Sequence, residues 1–284
     1  MPELPEVETI VRALKFGGRQ EPPVIDCVLT GGKVLWVKTL ANPPAALFSQ
    51  RLTGQKVMDV TRRGKFISLN LSDDTLLIHL RMSGDIRVDS ARAEDEVDHP
   101  LPRHDRLLLY FENGLRLALN DTRKFARAWL VRDPAVVLST LGPEPLDHEF
   151  SAERLGALLS KRQRGIKSLL MDQTVLAGMG NIYTDEALHL ARIHPLARPD
   201  QLTTADIEHL WLAIQSVLKE GIRRNGASID WVYRGGDFQN YFRVYGRSGQ
   251  PCPVCGTLIT KTVIGQRGTH YCPTCQPPPP GKRG

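Results

Sequence analysis

The sequence lacks any apolar run long enough to cross a membrane. No stretch of its 284 residues approaches the roughly eighteen consecutive apolar side chains that such a helix needs. The first residues, MPELPEVETIV, carry early glutamates where a secretory signal has a basic start and an apolar core. We therefore expect no membrane association and no secretion, and a cytoplasmic location.

Cysteine and aromatic residues are also scarce. The five cysteines are odd in number and four of them fall within residues 252–275, which excludes a disulfide framework and fits a reducing compartment. Aromatic residues make up 6%, while hydrophobic residues at 41% and charged residues at 24% are ordinary globular values. Disordered, collagen-like and coiled-coil chains are thereby excluded.

Positive charge is unevenly distributed along the chain. The net charge of +6 divides into −1 for residues 1–150 and +7 for residues 151–284. Basic charge concentrated in one region is typical of a protein that neutralises phosphates, although a solvated cationic surface has the same composition. The second half therefore becomes the candidate polyanion-binding part.

The first half has the pattern of a β-rich domain that follows one helix, which we place from Pro5 to about Phe16. Short runs rich in Val, Ile and Leu alternate with turn signals such as Gly31-Gly32 and Asn113-Gly114. This predicts a sandwich or barrel. The predicted strands are 24–30, 33–38, 56–62, 65–71, 75–80, 84–88, 105–111, 115–119 and 126–132.

The second half is helical and begins after a proline-containing linker. Leucine and alanine recur at helical spacing over 151–160, 166–172, 181–191 and 204–224, and Thr203 or Thr204 could cap the last helix. Gly178 and Gly180 precede the third helix, where backbone N–H groups can approach a phosphate. The tail from Gln276 carries four consecutive prolines and is expected to be disordered.

Four cysteines form two knuckles near the C-terminus. Two Cys-x-x-Cys pairs separated by sixteen residues have the spacing of a four-cysteine zinc ribbon. Four thiolates complete a tetrahedral shell, so we expect one structural Zn²⁺; a redox pair of motifs is the alternative. His270 could compete as a ligand, but we place it on the hairpin surface. The predicted ligands are Cys252, Cys255, Cys272 and Cys275.

The N-terminus offers a nucleophile. Methionine is normally removed before a residue as small as Pro2, which would leave a secondary amine with an α-amino pKa of roughly 8. Such an amine can attack an acetal carbon and give an iminium, while Glu3 and Glu6 could move protons. An incidental proline is the alternative, since many chains begin Met-Pro-Glu.

Taken together, several motifs give a sharper signal. They are Met1-Pro-Glu-Leu-Pro-Glu-Val-Glu8, Arg63-Gly-Lys65-Phe66, His79-Leu-Arg-Met-Ser-Gly84, Asn120-Asp-Thr-Arg123-Lys-Phe125, Asp172 to Asp185, and the four cysteines. With these segments in order from residue 2 to about 276, the chain resembles bacterial formamidopyrimidine-DNA glycosylase.

The resemblance implies an α+β protein: an N-terminal helix plus β-sandwich, then a helix–two-turn–helix domain with a four-cysteine zinc finger. On this basis we place the catalytic domain at 1–132, a linker at 133–150, the helix–two-turn–helix domain at 151–250, the zinc finger at 251–276 and the tail at 277–284. It further implies a monomeric bifunctional glycosylase and abasic-site lyase of base-excision repair, acting on double-stranded DNA with oxidised purines or abasic sites.

Individual roles also follow from the resemblance. Pro2 would attack C1′ with Glu3 assisting, Lys65 would donate a proton in β-elimination, and Arg267 would serve δ-elimination and phosphate binding. Met82, Arg123 and Phe125 would fill the gap left by the flipped base. The residues expected to contact the DNA backbone are His104, Arg123, Arg162, Lys167, Asn181 and Arg267. The residues expected near the lesion are Glu6, Ser228 and Tyr233, the last two in a 226–239 loop shorter than is usual in the family.

Two alternatives remain open at this point. An endonuclease VIII-like enzyme would use the same terminal proline on oxidised pyrimidines, although its start usually reads Pro-Glu-Gly-Pro-Glu, where this chain has Leu4. A noncatalytic zinc-ribbon protein could bind lesions without cutting, but binding alone does not need Pro2, Glu3 and Lys65.

Overall fold

The computed structural model describes residues 1–18, 21–90, 102–228 and 235–279. The chain divides into two compact units. The first comprises Met1–Ser139 and Ala227–Gly236, and the second comprises Thr140–Gly226 and Asp237–Gly284. Residues 227–236, shortly after the long helix, therefore group with the first unit, whereas the sequence prediction placed all of 151–250 in one domain.

The first unit consists of one long helix, two short ones and nine strands over its described residues. In chain order these are α1 (Leu4–Phe16), β1 (Leu29–Val34), β2 (Leu40–Asn42), α2 (Ala45–Leu52), β3 (Val57–Arg63), β4 (Phe66–Leu71), β5 (Thr75–His79), β6 (Gly84–Ser90), β7 (Asp105–Phe111), β8 (Leu115–Asp121), β9 (Arg127–Val131) and α3 (Ala135–Leu138).

The sequence of α1 explains both its start and its burial. Pro5 stands in the first turn, where a missing N–H costs nothing, and Glu6 stands near the positive end of the helix dipole. Val7, Ile10 and Leu14 recur at helical spacing and are 1% exposed or less. The helix is therefore part of the hydrophobic core rather than an appendage.

The strands form the two sheets of a sandwich, as the sequence predicted. One sheet has the order β1-β7-β8-β6, and the other has the order β2-β9-β5-β4-β3. Their apolar faces share one core, to which Ile67 and Ile78 contribute from one sheet and Leu109 and Leu119 from the other. The central strand β5 is buried along its whole length, which explains its nearly uninterrupted apolar sequence.

The second unit contains four helices and one hairpin in its described part. These are α4 (Ala152–Ser160), α5 (Ile166–Leu170), α6 (Asn181–Leu190), α7 (Thr204–Arg223), β10 (Thr260–Ile264) and β11 (Arg267–Tyr271). Thr203 caps α7 by accepting a hydrogen bond from the Asp206 backbone N–H, so the first of the two predicted caps is the one used. The strands β10 and β11 pair antiparallel.

The predicted strands 24–30 and 33–38 are wrong, because one strand, β1, lies there and its Gly31-Gly32 pair is not a turn. A Cβ at Gly32 would lie 2.8 Å from side-chain atoms of Phe48 and Leu52, so glycine allows α2 to pack on this strand. The helix α2 itself was not predicted. The other predicted strands and helices agree with the structure to within a few residues at their ends.

Two further expectations concern the membrane and the tail. Across the ranges that the structure describes, no helix combines the length and apolarity needed to span a membrane. The predicted disordered tail falls largely on residues 280–284, which lie outside the described residues.

Candidate active site

The N-terminal proline and glutamate are held at the start of α1. Pro2 is buried, and Glu3 is buried with 2% of its surface exposed. The Glu3 backbone N–H donates to Oε2 of Glu6 at 2.8 Å, which closes the first turn of the helix. The local sequence therefore fixes the backbone next to Pro2 through a carboxylate three residues later.

Glu6 also holds a segment that is remote in the sequence. Its second oxygen, Oε1, accepts the Ala227 backbone N–H at 2.8 Å, and Glu6 is 2% exposed. Next to Ala227, the Ser228 hydroxyl donates to the Gly236 carbonyl at 3.0 Å and accepts the Gly236 N–H at 2.8 Å. These bonds place Glu6 and Ser228 at the start of the 226–239 loop. Tyr233 lies outside the described residues.

Lys65 stands in the tight turn between β3 and β4, where Gly64 has φ 57°. Its side chain is buried, with 4% exposed. The turn is tied to α1 because Arg62 donates to the Glu8 carboxylate at 3.0 Å and to the Gly64 carbonyl at 3.1 Å. A buried ammonium is thus positioned by a strand end and a helix rather than by a solvated loop.

His79 is the titratable neighbour of this lysine. Burial and, to a smaller extent, the charges of Arg81 and Lys65 together lower the pKa of His79 from 6.5 to about 3. Its ring Nδ1 accepts the Arg81 backbone N–H at 3.0 Å, and its ring meets Phe66 edge to face. His79 is therefore neutral at physiological pH and adds no positive charge beside Lys65.

The three residues expected to fill the base gap are exposed on two turns of the first unit. Met82 is 37% exposed and Phe125 49% exposed, so both apolar side chains are accessible to a ligand. The Arg123 guanidinium lies 5.3 Å from the centre of the Phe125 ring. His104 is half-buried, with its Nδ1 3.3 Å from Nη2 of Arg106. These side chains form an accessible apolar and cationic set.

In the second unit, Arg267 is exposed at the start of β11. The turn before it uses left-handed backbone at Gly265 (φ 55°) and Gln266 (φ 63°). Arg162 follows α4 and is half-buried. The side-chain amide of Asn181 donates to the Gly268 carbonyl at 2.9 Å, so the first residue of α6 contacts the hairpin that carries Arg267.

Lys167 takes a different place from the one expected. Its ammonium is 2.6 Å from Oδ1 of Asp185, with side chains 1% and 0% exposed. It also donates to Oγ1 of Thr269 at 2.8 Å and to the Gly268 carbonyl at 3.2 Å. In this arrangement Lys167 is bound to the hairpin, and its charge is paired with Asp185 inside the unit. Its expected contact with DNA stays a prediction.

The aspartates Asp172 and Asp185, which the sequence indicated as structural partners or helix caps rather than catalysts, both have bonding partners within the unit. Asp172 pairs with Arg164 and accepts the Thr174 backbone N–H at 3.0 Å. The second oxygen of Asp185 accepts the His270 backbone N–H at 2.9 Å. The surface position predicted for His270 is wrong, because the residue is 7% exposed beneath this carboxylate.

The four predicted zinc ligands converge. The Sγ atoms of Cys252, Cys255, Cys272 and Cys275 lie within 4.8 Å of one another, and His270 is not among them. Four sulfurs at this spacing fit a tetrahedral Zn²⁺ with Zn–S bonds of about 2.3 Å and leave no open position. The cofactor is one structural zinc ion. Nε2 of the buried His189 lies 3.4 Å from Sγ of Cys252 and can orient that ligand.

Sequence reasoning missed Glu186, which anchors the segment before the zinc finger. Its carboxylate accepts the backbone N–H groups of Arg243, Val244 and Tyr245 at 2.8, 3.0 and 2.8 Å. Burial raises the pKa of Glu186, while these three donors lower it. An acidic pair, Asp185-Glu186, in a buried helix was the available signal, but the partners of Glu186 lie nearly sixty residues away.

Three protein-family models match most of the chain. Residues 1–128 match the formamidopyrimidine-DNA glycosylase N-terminal domain, and residues 141–232 match the H2TH domain of the same glycosylase. Residues 249–278 match a zinc finger found in FPG and IleRS. The three matches follow one another with short gaps.

Curated relatives and solved structures agree with these matches. The formamidopyrimidine-DNA glycosylase of Pelotomaculum thermopropionicum is 41% identical, covering 97% of this chain and 99% of its own, and that of Chloroflexus aurantiacus is 43% identical, covering 97% and 98%. Lactococcus lactis Fpg with abasic-site DNA superposes with a TM-score of 0.86 at 33% identity, over 97% and 100% of the two chains. MutM in complex with DNA containing carbocyclic 8-oxo-G superposes with a TM-score of 0.86 at 34% identity, over 98% of this chain and 100% of that one. The chain therefore belongs to the formamidopyrimidine-DNA glycosylase family.

Proposed function

We propose that this glycosylase removes oxidised purines, chiefly 8-oxoguanine and formamidopyrimidines, and then cleaves the abasic site by β,δ-elimination. The observation that carries the proposal is the buried Pro2-Glu3 pair, held by Glu6 in a family whose solved relatives contain abasic-site or 8-oxo-G DNA. The protein acts as a cytoplasmic monomer on double-stranded DNA.

Removal of Met1 leaves the Pro2 nitrogen as a secondary amine. Its lone pair forms a bond to C1′ of the damaged nucleotide as the glycosidic bond breaks, and the base leaves with the electron pair of the glycosidic bond and takes up a proton. The nitrogen then loses its own proton and forms a double bond to C1′ as the C1′–O4′ bond breaks. Glu3 assists by protonating the opening sugar and later accepting protons. The product is an iminium between Pro2 and C1′, which makes the C2′ hydrogens acidic.

Elimination follows from that iminium. Loss of a C2′ proton breaks the C3′–O bond, and a second elimination breaks the C5′–O bond, which leaves phosphates on both sides of a one-nucleotide gap. Lys65, a buried ammonium beside α1, is the proton donor for the first elimination. Arg267, exposed on the zinc hairpin, binds the phosphate and serves the second.

Extrusion of the base leaves a gap that costs a few kcal/mol of stacking unless side chains fill it. Met82 and Phe125 supply apolar surface, and Arg123 can hydrogen-bond the unpaired cytosine. Arg162, Asn181, His104 and Arg267 bind the backbone phosphates. Ser228 and Tyr233 belong to the loop nearest the lesion.

Borohydride trapping tests this function. Purified protein lacking Met1 is incubated with a duplex carrying 8-oxoguanine opposite cytosine, or one carrying an oxidised pyrimidine, and the nicked ends are resolved on a gel. We expect a covalent adduct on the purine lesion and phosphate at both ends. Preference for the pyrimidine would indicate an endonuclease VIII-like enzyme, and binding without any adduct a noncatalytic lesion binder. Pro2→Gly replaces the secondary amine by a primary one; it should keep DNA binding but lose most excision, and with it most of the adduct on 8-oxoguanine, while Pro134→Gly, remote from α1 in the sequence, should lose neither.

A further inference from the structure

A single buried carboxylate lies between the two turns that carry Met82, Arg123 and Phe125. Asp121, the last residue of β8, is 0% exposed. Its Oδ2 accepts the backbone N–H of Phe125 at 2.6 Å and of Ala126 at 2.7 Å, and its Oδ1 accepts that of Arg123 at 3.1 Å. Three donors from one turn thus converge on one side chain, which fixes the backbone beneath Arg123 and Phe125.

The same carboxylate reaches the other turn. The hydroxyl of Ser83, the residue after Met82, donates to Oδ1 of Asp121 in a short hydrogen bond, and Ser83 is 5% exposed. The turn is tight, because the Gly84 N–H donates to the Leu80 carbonyl at 2.9 Å and a Cβ at Gly84 would lie 2.5 Å from that oxygen. Moving Ser83 therefore moves Met82 with it.

The backbone of Asp121 is itself anchored. Its carbonyl accepts Nε of Arg106 at 2.8 Å, and its N–H donates to the His104 carbonyl at 2.8 Å. Arg106 is 8% exposed, so the bond is shielded from water. Asp121 is therefore a fixed point that joins its own turn to two sequence-distant segments, one carrying Met82 and Ser83 and the other His104 and Arg106.

Lys124, between Arg123 and Phe125, packs its side chain on Trp36. Lys124 has φ 62°, in the left-handed region, and its ammonium lies 4.1 Å from the centre of the Trp36 ring. This contact fixes the turn from its other side. Arg123 and Phe125 remain exposed, and the Arg123 guanidinium lies over the Phe125 ring.

We propose that Asp121 is a positioning residue that couples the Met82 turn to the Arg123–Phe125 turn, so that the three gap-filling side chains enter the duplex as one preorganised unit. The inference rests on the proposed function of those side chains. Holding them in place before binding lowers the conformational entropy lost when a base is extruded. Asp121 itself touches neither substrate nor reacting atoms.

The test separates gap filling from chemistry. Single-turnover excision of 8-oxoguanine from a duplex requires base extrusion, whereas cleavage of a single-stranded abasic oligonucleotide does not. Ser83→Ala removes one bond of the link, and Asp121→Asn replaces one acceptor oxygen by a donor facing N–H groups. We expect duplex excision to fall by about tenfold in each, from the loss of one charge-assisted hydrogen bond, with single-strand cleavage unchanged. 2-Aminopurine beside the lesion should report slower duplex opening.

Two matched variants control for the loss of a buried polar group. Asp74→Asn changes a buried carboxylate that binds Arg51 and Gln55, and Ser49→Ala removes a hydroxyl that accepts the Gly32 N–H. Both should leave the two activities in the wild-type ratio. Combining Ser83→Ala with Asp121→Asn should be no worse than Asp121→Asn alone, because both break the same link.

Three results would overturn the inference or its basis. Equal losses on duplex and single-stranded substrates would mean that Asp121 supports the active site generally and does not couple the turns. Unchanged duplex excision in Ser83→Ala, a variant that keeps the three backbone bonds of Asp121, would refute the coupling even if Asp121→Asn failed to fold. A wild-type protein that excises nothing would instead refute the proposed function.

Discussion

Replacing Lys167 by methionine tests whether this residue holds the zinc hairpin or contacts DNA. Methionine keeps much of the aliphatic volume but removes the ammonium, so Asp185 loses its partner 2.6 Å away while remaining buried. Breaking one side of a buried ion pair costs about 3–5 kcal/mol. For a unit of this size, that corresponds to a decrease in melting temperature of roughly 6–20 °C.

The two readings of Lys167 predict opposite salt dependences. A lysine that neutralises one phosphate contributes about 0.9 to the slope of log affinity against log salt, and its removal lowers the slope by that amount. A buried structural lysine contributes nothing to the slope. We therefore expect Lys167→Met to lower the unfolding free energy and leave the slope unchanged. Calorimetry and fluorescence anisotropy across a salt series measure the two quantities.

Arg164→Met is the matched control for stability. Arg164 pairs with Asp172 on the same segment, but the two side chains are 54% and 24% exposed, so the loss should be about 0–1 kcal/mol. If Lys167→Met lowers the slope by about one and costs no stability, the ammonium contacts DNA and the structural reading is refuted.

Three further predictions follow from the zinc site, His79 and Glu6. Cys275→Ser should lower bound zinc, measured by atomic absorption, from about one equivalent towards zero and abolish DNA binding, because the thiolates hold the hairpin; retained binding without zinc would contradict this. The pKa of His79 is lowered to about 3, so between pH 6.5 and 3 the unfolded chain binds a proton that the folded chain does not. The free energy of unfolding should therefore fall by about 1.4 kcal/mol per pH unit on acidification through this range. In urea titrations, His79→Gln should show a shallower fall with pH than the wild type, and an equally steep fall would contradict this assignment. Glu6→Gln places an amide N–H₂ against the Glu3 or Ala227 N–H, which should destabilise the protein by about 1–3 kcal/mol and slow excision; wild-type values for both would argue against the anchor.

The sequence predicted the parts of the fold whose signals are local. The four cysteines carry their ligand geometry in their spacing, Thr203 stands three residues before the aspartate that completes its cap, and the apolar residues of α1 repeat at helical period. Each of these depends on residues within about twenty positions. The structure agrees with all of them.

The failures have a common physical cause, which is contact between segments far apart in the chain. Gly31-Gly32 has the composition of a turn, and only the packing of α2 on β1 makes it a strand. The inward position of Lys167 has the same origin, because its ammonium bonds to Asp185 and to the hairpin residue Thr269. His270 was expected at the surface for the same reason. The expected contact of Lys167 with DNA stays a prediction.

The candidate site divides in the same way. The resemblance supplied Pro2, Glu3, Lys65 and Arg267 as positions with expected roles, and these roles remain predictions. Neither composition nor motif spacing revealed that Asp121 joins two turns or that Glu186 holds the segment before the zinc finger. Both depend on hydrogen bonds from backbone N–H groups, which carry no sequence signature.

Peptide mapping of the borohydride-trapped adduct tests the central claim most directly. The protein is trapped on a duplex with 8-oxoguanine opposite cytosine, digested, and analysed by mass spectrometry for the peptide that carries the reduced sugar. We predict that the sugar is attached to the nitrogen of Pro2 at the N-terminus of the processed chain. Attachment to Lys65 or another lysine, or turnover without any trapped peptide, would contradict the account.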